Sequence, residues 1–249
     1  MSQPKKLADP KLFIARKRKK YKFAHFSGWP NCFIQDSNDP KKLSKELTTY
    51  FQNHVRKGRT LTQENQKDCP YGGVPLVLEL AAGTAEFSLE LAKLHLNMNF
   101  VAIDIKSDRL YTSAKKAQEE NIGNIAFLRM HLNQVGELFC TDSVHEIWLT
   151  FPDPHPKKRS AKHRLTGQQF LRQYRNILKK SGELKFKTDN LELFQWSLEQ
   201  FVADKWKIQE LSFDLHESDL SEEYKIKTAY ERKFTTQGLP INFVALTIR

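Results

Sequence analysis

The chain has 249 residues, of which 39% are apolar, and this is enough material to close one large core. Its 40 Lys and Arg residues outnumber its 29 Asp and Glu residues, which gives a formal charge of +11. A field of this sign favours a polyanionic partner, although basic proteins also bind anionic membranes. The composition therefore predicts a single globular domain with a basic surface.

Several classes of protein are excluded by the sequence. No apolar run approaches the roughly 20 residues that a bilayer span requires, and the first residues lack the charged-then-apolar order of a secretory signal. The three cysteines, Cys32, Cys69 and Cys140, share no short spacing, so neither a disulfide framework nor a zinc site is indicated. We expect a cytoplasmic protein, monomeric or homodimeric, with no bound metal and no membrane contact.

The first 22 residues form a polar, basic segment. Six of the seven residues from Arg16 to Lys22 are cationic, and such side chains cannot contribute to a core. Two interpretations remain open: a solvated, disordered extension, or an arm that folds on phosphates when RNA is bound. We therefore predict an N-terminal arm at residues 1–22 and a single domain at residues 23–249.

Apolar periodicity then predicts a helix, followed by strands that alternate with helices. Helical spacing of Leu43, Leu47, Tyr50 and Phe51 predicts a helix from residue 40 to about residue 56, and residues 57–73 form a polar connection. Strands are predicted at residues 75–80, 100–103, 125–128, 145–150 and 183–187. Helices are predicted at residues 85–96, 107 to about 120, 167–178 and 191–202. Two further strands, at residues 206–211 and 241–248, flank an excursion of residues 212–240.

This alternation predicts the fold class α/β. Because strands joined by helices run parallel through right-handed crossovers, we expect a doubly wound, mostly parallel sheet with helices on both faces. Ligands of such sheets bind at the carboxyl ends of the strands, beside the point where the strand order reverses. The loops that follow the strands are therefore the candidate functional sites.

Two acidic residues lie at the carboxyl ends of the first two strands of the alternation. Glu79 leads into the loop Ala81-Ala82-Gly83, and Asp104 ends the next strand, 21 residues after Gly83. A carboxylate at that distance can accept hydrogen bonds from both ribose hydroxyls of a nucleoside. A nicotinamide dinucleotide needs several glycines around its pyrophosphate, whereas S-adenosylmethionine is cationic and has no phosphate. The pattern favours S-adenosylmethionine, although such an acid can also simply cap the next helix.

A second candidate site follows the fourth strand of the alternation. Three prolines in residues 150–156 restrict the backbone, so they present Asp153 at the edge of the sheet. Five of the eight residues from Lys157 to Arg164 are Lys or Arg, a density that suits contacts to phosphates. The alternative interpretation is a surface turn whose carboxylate neutralises local positive charge.

Two later segments supply further candidates. Asp189 follows the fifth strand, beside the strand that leads to Asp153, and a plain helix N-cap is its alternative role. Residues 227–233 combine charged side chains with Tyr230 inside the excursion, where a lid or a substrate loop is expected.

Together these motifs resemble a known family, the bacterial tRNA (guanine-N7-)-methyltransferases. The resemblance is carried by Phe151-Pro152-Asp153-Pro154 with Lys157-Lys158-Arg159 behind it, by Phe186-Lys187-Thr188-Asp189-Asn190, and by Thr228 to Glu231 with Lys233 beyond it. Their order and spacing resemble the family from about Pro75 to the C-terminus. The resemblance implies a seven-stranded, Rossmann-like methyltransferase sheet, S-adenosylmethionine as donor, and methylation of guanine 46 in the variable loop of tRNA.

The resemblance also implies roles for individual residues. The cofactor-binding residues are then Glu79, Gly83, Asp104, His131 and Asp153, and Asp153 is also the catalytic residue. The substrate-binding residues are Lys157, Asp189, Thr228, Ala229, Tyr230 and Glu231. The RNA-contacting residues are Arg159, Ser160, Ala161, Lys162, His163 and Arg164.

The sequence departs from the family pattern at three places. His155 stands where the family usually has Trp, and the Gly-x-Gly of the first loop is reduced to Ala81-Ala82-Gly83. His131, with Asn133 two residues on, occupies the position of the acid expected after the third strand. Which residue contacts the adenine amino group of the cofactor is therefore not indicated by the sequence.

Guanine N7 carries a lone pair and no proton, so its methylation needs no base, and positioning and electrostatics must supply the rate. We expect Asp153 to orient the guanine and to offset the positive charge of the methylated ring. Two other functions stay open. A methyltransferase acting on a protein or a small molecule is disfavoured by the basic run after Asp153. A non-catalytic RNA-binding subunit of the same fold is favoured only by the altered first loop and His131.

Overall fold

The computed structural model describes residues 21–35, 39–54, 71 and 74–248. The predicted arm lies outside these ranges except for residues 21 and 22, and so does most of the predicted connection at residues 57–73. Among the described residues, no helix is long and apolar enough to cross a membrane.

The order of strands and helices follows the predicted alternation. The strands are β1 (Cys32–Ile34), β2 (Leu76–Leu80), β3 (Asn99–Asp104), β4 (Ile125–Arg129), β5 (Val144–Thr150), β6 (Leu178–Thr188), β7 (Trp206–Ser212) and β8 (Asn242–Ile248). Residues 21–26 are helical. The α-helices that follow within the described ranges are α1 (Pro40–Asn53), α2 (Glu86–Leu94), α3 (Ser107–Glu119), α4 (Val135–Leu138), α5 (Gln168–Ile177), α6 (Leu191–Ala203) and α7 (Ala229–Thr235).

The strands form one sheet in the order β1-β4-β3-β2-β5-β6-β8-β7. Neighbouring strands are parallel from β1 to β6, and β8 is antiparallel to both β6 and β7. The seven predicted strands are β2 to β8, so the doubly wound, mostly parallel α/β sheet is confirmed. The strand order reverses between β2 and β5, which is where a ligand site is expected.

The two faces of the sheet bury separate apolar clusters. One cluster packs α1, α4, α5 and α6 against side chains such as Leu78 and Val101. The other packs α2, α3 and the excursion of residues 213–240 against neighbours such as Val77 and Phe100. Alternate residues of one strand thus pack into opposite clusters. Each fully buried aliphatic or aromatic side chain contributes about 1.5–3 kcal/mol to the stability of the fold.

The structure differs from the sequence-based expectations at several boundaries. β1 was not predicted, and its parallel pairing with β4 gives the sheet eight strands within the described ranges. β6 begins at Leu178 rather than at residue 183.

Candidate active site

The loop after β2 is held against the end of β3 by the Asp104 carboxylate. Oδ2 of Asp104 accepts a hydrogen bond from the Gly83 N–H at 2.9 Å, and Oδ1 accepts one from the Lys106 N–H at 2.8 Å. The side chain is only 5% exposed. Burial raises the pKa of Asp104, and the two N–H donors oppose that rise. Each oxygen retains a lone pair that can accept from a ligand hydroxyl.

The same loop adopts a left-handed backbone conformation. Ala81 has a φ of +58° and Gly83 a φ of +55°. This conformation costs an alanine roughly 1–2 kcal/mol, whereas glycine adopts it without steric strain. The alanine that departs from the family pattern therefore occupies a strained position on the wall of the site.

Glu79 is buried beneath this loop and bonded to protein groups. Its Oε2 accepts from both the N–H and the hydroxyl of Ser88, and its Oε1 accepts from the Thr150 hydroxyl at 2.5 Å. Burial raises the pKa of Glu79, and these hydrogen bonds together with the charge of Lys187 oppose that rise. Glu79 thus links the end of β2 to the first turn of α2, which contains Ser88, and to the end of β5, which is Thr150.

Two adjoining cavities lie where the strand order reverses. The first cavity, of about 200 Å³, lies beyond the ends of β3 and β4. Asp104, Arg109 and His131 supply its charged and polar walls. Its other lining residues are Ala81, Ile105, Lys106, Met130, Leu132, Phe151, Pro152 and Asp153.

The second cavity, of about 360 Å³, opens between the loops after β2, β5 and β6. Asp153, Asp189 and Tyr230 are three of its polar lining residues. Its other lining residues are Glu79, Ala81, Ala82, Gly83, Thr84, Arg109, Thr150, Phe151, Pro152, Pro154, Thr188, Asn190 and Thr228.

Asp153 lines both cavities and is exposed to solvent. The loop that carries it starts at Phe151, whose φ is +51° and whose N–H donates to the Lys187 carbonyl at 2.9 Å. The strained turn is thus fixed to the neighbouring strand at the point where β5 ends. Asp153 therefore stands on the boundary between the two candidate ligand sites.

Asp189 and Tyr230 face the second cavity from opposite elements. The N-cap of α6 is Asn190, whose side chain accepts from the Leu193 N–H, so the capping role considered for Asp189 is wrong. Burial raises the pKa of Asp189. Burial also raises the pKa of the Tyr230 hydroxyl, and the negative charges of Asp189 and Asp153 raise it further. The Tyr230 hydroxyl therefore lies within electrostatic reach of both carboxylates.

The remaining excursion residues have structural partners. Thr228 caps α7, because its hydroxyl accepts from the Glu231 N–H, and the Ala229 N–H donates to Glu86 Oε2 at 2.6 Å. Glu231 is 0% exposed, and its carboxylate is bonded to Lys187 and His216. These partners occupy the Glu231 carboxylate, whereas Tyr230 is 50% exposed. The predicted contact of Glu231 with substrate stays a prediction.

The basic loop after Asp153 divides into exposed and buried parts. Lys157, Arg159, Lys162 and His163 are exposed, and Ser160 and Ala161 are partly buried. Arg164 is only 6% exposed. Its guanidinium donates to the carbonyls of Pro154 and His155 at 3.1–3.3 Å and lies 4.5 Å from the Trp196 ring centroid. Arg164 thus braces the loop that presents Asp153, and its predicted contact with RNA stays a prediction.

Sequence reasoning missed two residues that shape the site. Arg109 lines both cavities from the first turns of α3, and its place directly after the β3 loop was the signal that could have indicated it. Lys187 was noted only as part of a motif. Among the described residues, no group of three or more His, Cys, Asp or Glu side chains could hold a metal ion.

The walls of the first cavity fit S-adenosylmethionine in their chemistry. Asp104 offers acceptors for ribose hydroxyls, Arg109 offers a cation for a carboxylate, and Asp153 offers a negative charge for a sulfonium. Ile105, Met130 and Leu132 add apolar surface that suits a flat heterocycle.

Known proteins share both the sequence pattern and the fold. A family model described as a putative methyltransferase matches residues 74–244. A tRNA (guanine-N(7)-)-methyltransferase of Christiangramia forsetii is 37% identical over 70% of this chain and 79% of its own length. The corresponding protein of Oceanobacillus iheyensis is 33% identical over 86% of this chain and 92% of its own length.

Among solved structures, the 16S rRNA methyltransferase KamB superposes with a TM-score of 0.54 at 14% identity, over 76% of this chain and 95% of KamB. That identity supports a shared fold alone. Residues 74–244, which the family model matches, include the lining residues of both cavities and the motifs around Asp153, Asp189 and Tyr230. The chain therefore belongs to the bacterial tRNA (guanine-N7-)-methyltransferase family.

Proposed function

We propose that this protein transfers a methyl group from S-adenosylmethionine to N7 of guanine 46 in the variable loop of tRNA. Its family membership and the fit of the first cavity support the donor. The names of its relatives and the basic surface beside the second cavity support tRNA guanine as the acceptor. The position in the tRNA follows from the family resemblance of the motifs.

The first cavity would hold the cofactor. Asp104 would accept from the ribose hydroxyls, Arg109 would bind the carboxylate, and His131 would lie beside the adenine end. Bound S-adenosylmethionine supplies an electrophilic methyl group on a sulfonium. Glu79 lines the second cavity, and its hydrogen bonds to Ser88 and Thr150 set the shape of the wall there.

The second cavity would hold the guanine. A purine that enters it meets the carboxylates of Asp153 and Asp189, which can accept from N1–H and N2–H, whereas adenine presents no donor at N1. The rings of Tyr230 and Phe151, with centroids 5.3 Å apart, offer apolar surface to the base. No group must remove a proton from N7, so the carboxylates act by orienting the base and by offsetting the charge of the methylated ring.

The observation that carries this proposal is the place of Asp153 on the wall shared by both cavities. A group there faces the donor and the acceptor at once, as a transfer between them requires. Exposed cations at Lys157, Arg159 and Lys162 lie on the loop that continues from Asp153, where they can bind phosphates without selecting a sequence.

The test is methylation of an unmodified tRNA transcript by the purified chain with labelled S-adenosylmethionine. We expect 7-methylguanosine on nucleoside analysis, and chain cleavage at position 46 after treatment specific for that nucleoside. A matched transcript with adenosine at position 46 should accept no label. Label at another position would contradict the choice of guanine 46, and cofactor binding without transfer to any RNA would favour the non-catalytic alternative.

A further inference from the structure

Lys187 is a fully buried cation that directly precedes Thr188 and Asp189, two lining residues of the second cavity. It lies two residues before Asp189 on β6, and its side chain is 0% exposed. Its ammonium donates to Glu231 Oε2 at 2.8 Å and to the carbonyls of Ile226 and Tyr224 at 3.0 and 3.1 Å. The three N–H donors of the ammonium therefore match three acceptors, all of which belong to the excursion.

The backbone of the same residue fixes a second wall. The Lys187 carbonyl accepts from the Phe151 N–H at 2.9 Å, and Phe151 begins the strained turn that leads to Asp153. The Lys187 side chain meanwhile reaches Glu231, which follows Tyr230 directly. One residue thus joins the three segments that carry Asp153, Asp189 and Tyr230.

We infer that Lys187 is a positioning residue, which holds the excursion against the sheet so that Tyr230 faces the two carboxylates of the second cavity. This inference rests on the proposed function, because its consequence is the alignment of the guanine. The other polar ties of α7 to the rest of the domain go to Glu86, through the Ala229 N–H and the Arg232 guanidinium, and they lie near the surface. Without Lys187, α7 would lose its buried polar tie to the sheet and keep these exposed contacts and its apolar packing.

The chemistry of the pair favours positioning over stability as its role. Taking an ammonium and a carboxylate out of water costs about as much free energy as their attraction returns, and an apolar pair of similar volume is often equally stable. An apolar side chain, however, cannot bind two backbone carbonyls and a carboxylate at fixed points. His216 Nε2, 3.0 Å from the other oxygen of Glu231, extends the same network to the half-buried surface of the excursion.

A displacement of about 1 Å in a group that orients substrate can lower a rate about 100-fold. Loss of the Lys187 contacts should therefore reduce the rate of methyl transfer more than it reduces tRNA binding. Phosphate contacts from the exposed loop after Asp153 supply most of that binding, and they do not depend on α7.

Three variants separate positioning from folding. Lys187→Met removes the ammonium and leaves the buried Glu231 carboxylate with His216 as its side-chain partner, whereas Lys187→Met/Glu231→Leu removes both buried charges. Lys185→Met is the matched control, because Lys185 is a buried lysine on the same strand whose ion pairs go to Glu146 and Glu183. Each protein is measured for its unfolding temperature, its affinity for unmodified tRNA, and its single-turnover methylation rate with tRNA and S-adenosylmethionine both saturating.

The double variant should unfold at a higher temperature than Lys187→Met, because it contains no buried carboxylate that has lost the lysine paired with it. Lys187→Met and the double variant should bind tRNA with an affinity within about threefold of that of the unaltered chain. They should methylate it at least about 30-fold more slowly, because a partial displacement should approach the loss of about 100-fold that 1 Å can cause. Lys185→Met should retain the rate within about threefold.

Two outcomes overturn the inference while the proposed function stands. One is a folded double variant that methylates within threefold of the unaltered chain, and the other is a Lys185→Met variant that slows as much as Lys187→Met. Failure of the unaltered chain to methylate tRNA in the same assay would overturn the proposed function and this inference with it.

Discussion

Asp153 is the residue whose carboxylate should matter most for the chemical step. It faces both cavities, so its charge can act on the methylated ring as positive charge develops there. We predict that Asp153→Ala lowers the single-turnover rate at least about 100-fold, the scale seen when one preorganised electrostatic group is removed. Affinity for tRNA should change much less, because the exposed cations of the following loop remain.

Asp153→Asn is the matched variant for this prediction. It keeps the shape of the side chain and one acceptor oxygen and removes only the negative charge. A rate near that of the unaltered chain in this variant would show that the charge is not used, and would move the orienting role to Asp189.

The buried carboxyl of Glu79 predicts a pH dependence of stability. Burial raises its pKa above the usual 4.5, so between the two values the folded chain retains a proton that the unfolded chain has lost. The free energy of unfolding should therefore fall as the pH rises from 4.5 through the folded-state pKa. Glu79→Gln, which carries no titrating proton, should flatten this part of the profile in urea unfolding measured at successive pH values. Glu217→Gln, on the exposed surface, is the control, and equal profiles for all three proteins would contradict the prediction.

At the scale of the elements, the basic loop after Asp153 should separate into RNA-binding and structural positions. Lys162→Ala removes an exposed cation, so it should reduce the slope of log affinity for tRNA against log salt by about 1. Arg164→Ala should leave that slope unchanged and lower the free energy of unfolding by about 1–3 kcal/mol, because the carbonyls of Pro154 and His155 lose their donors. A reduced slope in Arg164→Ala would return this residue to the RNA surface.

The strands were predictable wherever a local apolar pattern sets them. Runs such as Leu76–Leu80 and Asn99–Asp104 are buried on both faces, and such runs are visible in a single sequence. β1 was missed because its three residues are too few to show a period and follow a segment of Gly, Pro and Asn. The start of β6 was missed because Lys179, Lys180 and Ser181 are polar, although they continue the strand.

The candidate site was predictable only where its residues follow strand ends. Glu79, Asp104, Asp153 and Asp189 are found by that rule, because all parallel strands of the sheet end at the same edge. Contacts across long sequence separations were not predictable. The ion pair of Lys187 with Glu231 joins residues 44 positions apart, and one sequence offers no signal for such a partner.

At the scale of the whole molecule, the carboxyl edge of the sheet gathers the functional groups. The carboxylates of Asp104, Asp153 and Asp189 lie in the cavities along this edge, and exposed cations of the loop at residues 157–163 lie beside them. The formal charge of +11 attracts a polyanion to this edge. The adjacent cavities are acidic, so they suit a cationic cofactor and a neutral base. Cations can therefore attract the RNA while carboxylates select what enters the cavities.

Lys22 and Phe23 lie near this same edge. The Lys22 ammonium lies 5.4 Å from the Tyr111 ring centroid, and the Arg129 guanidinium lies 5.3 Å from that of Phe23. Arg129 also donates to the carbonyl of Ile105, which lines the first cavity. These two residues are therefore close to the candidate cofactor site.

Deleting residues 1–20 removes eight Lys and Arg residues and should flatten the salt dependence of tRNA binding. Each phosphate contact that is lost reduces the slope by roughly 0.7–0.9, so affinity should fall most at low salt. The unfolding temperature should not change, since highly charged segments of this kind bury no core. Titration of both proteins with unmodified tRNA between about 50 and 200 mM salt measures the two slopes. Identical slopes would make the segment a solvated extension and leave RNA binding to the loop after Asp153.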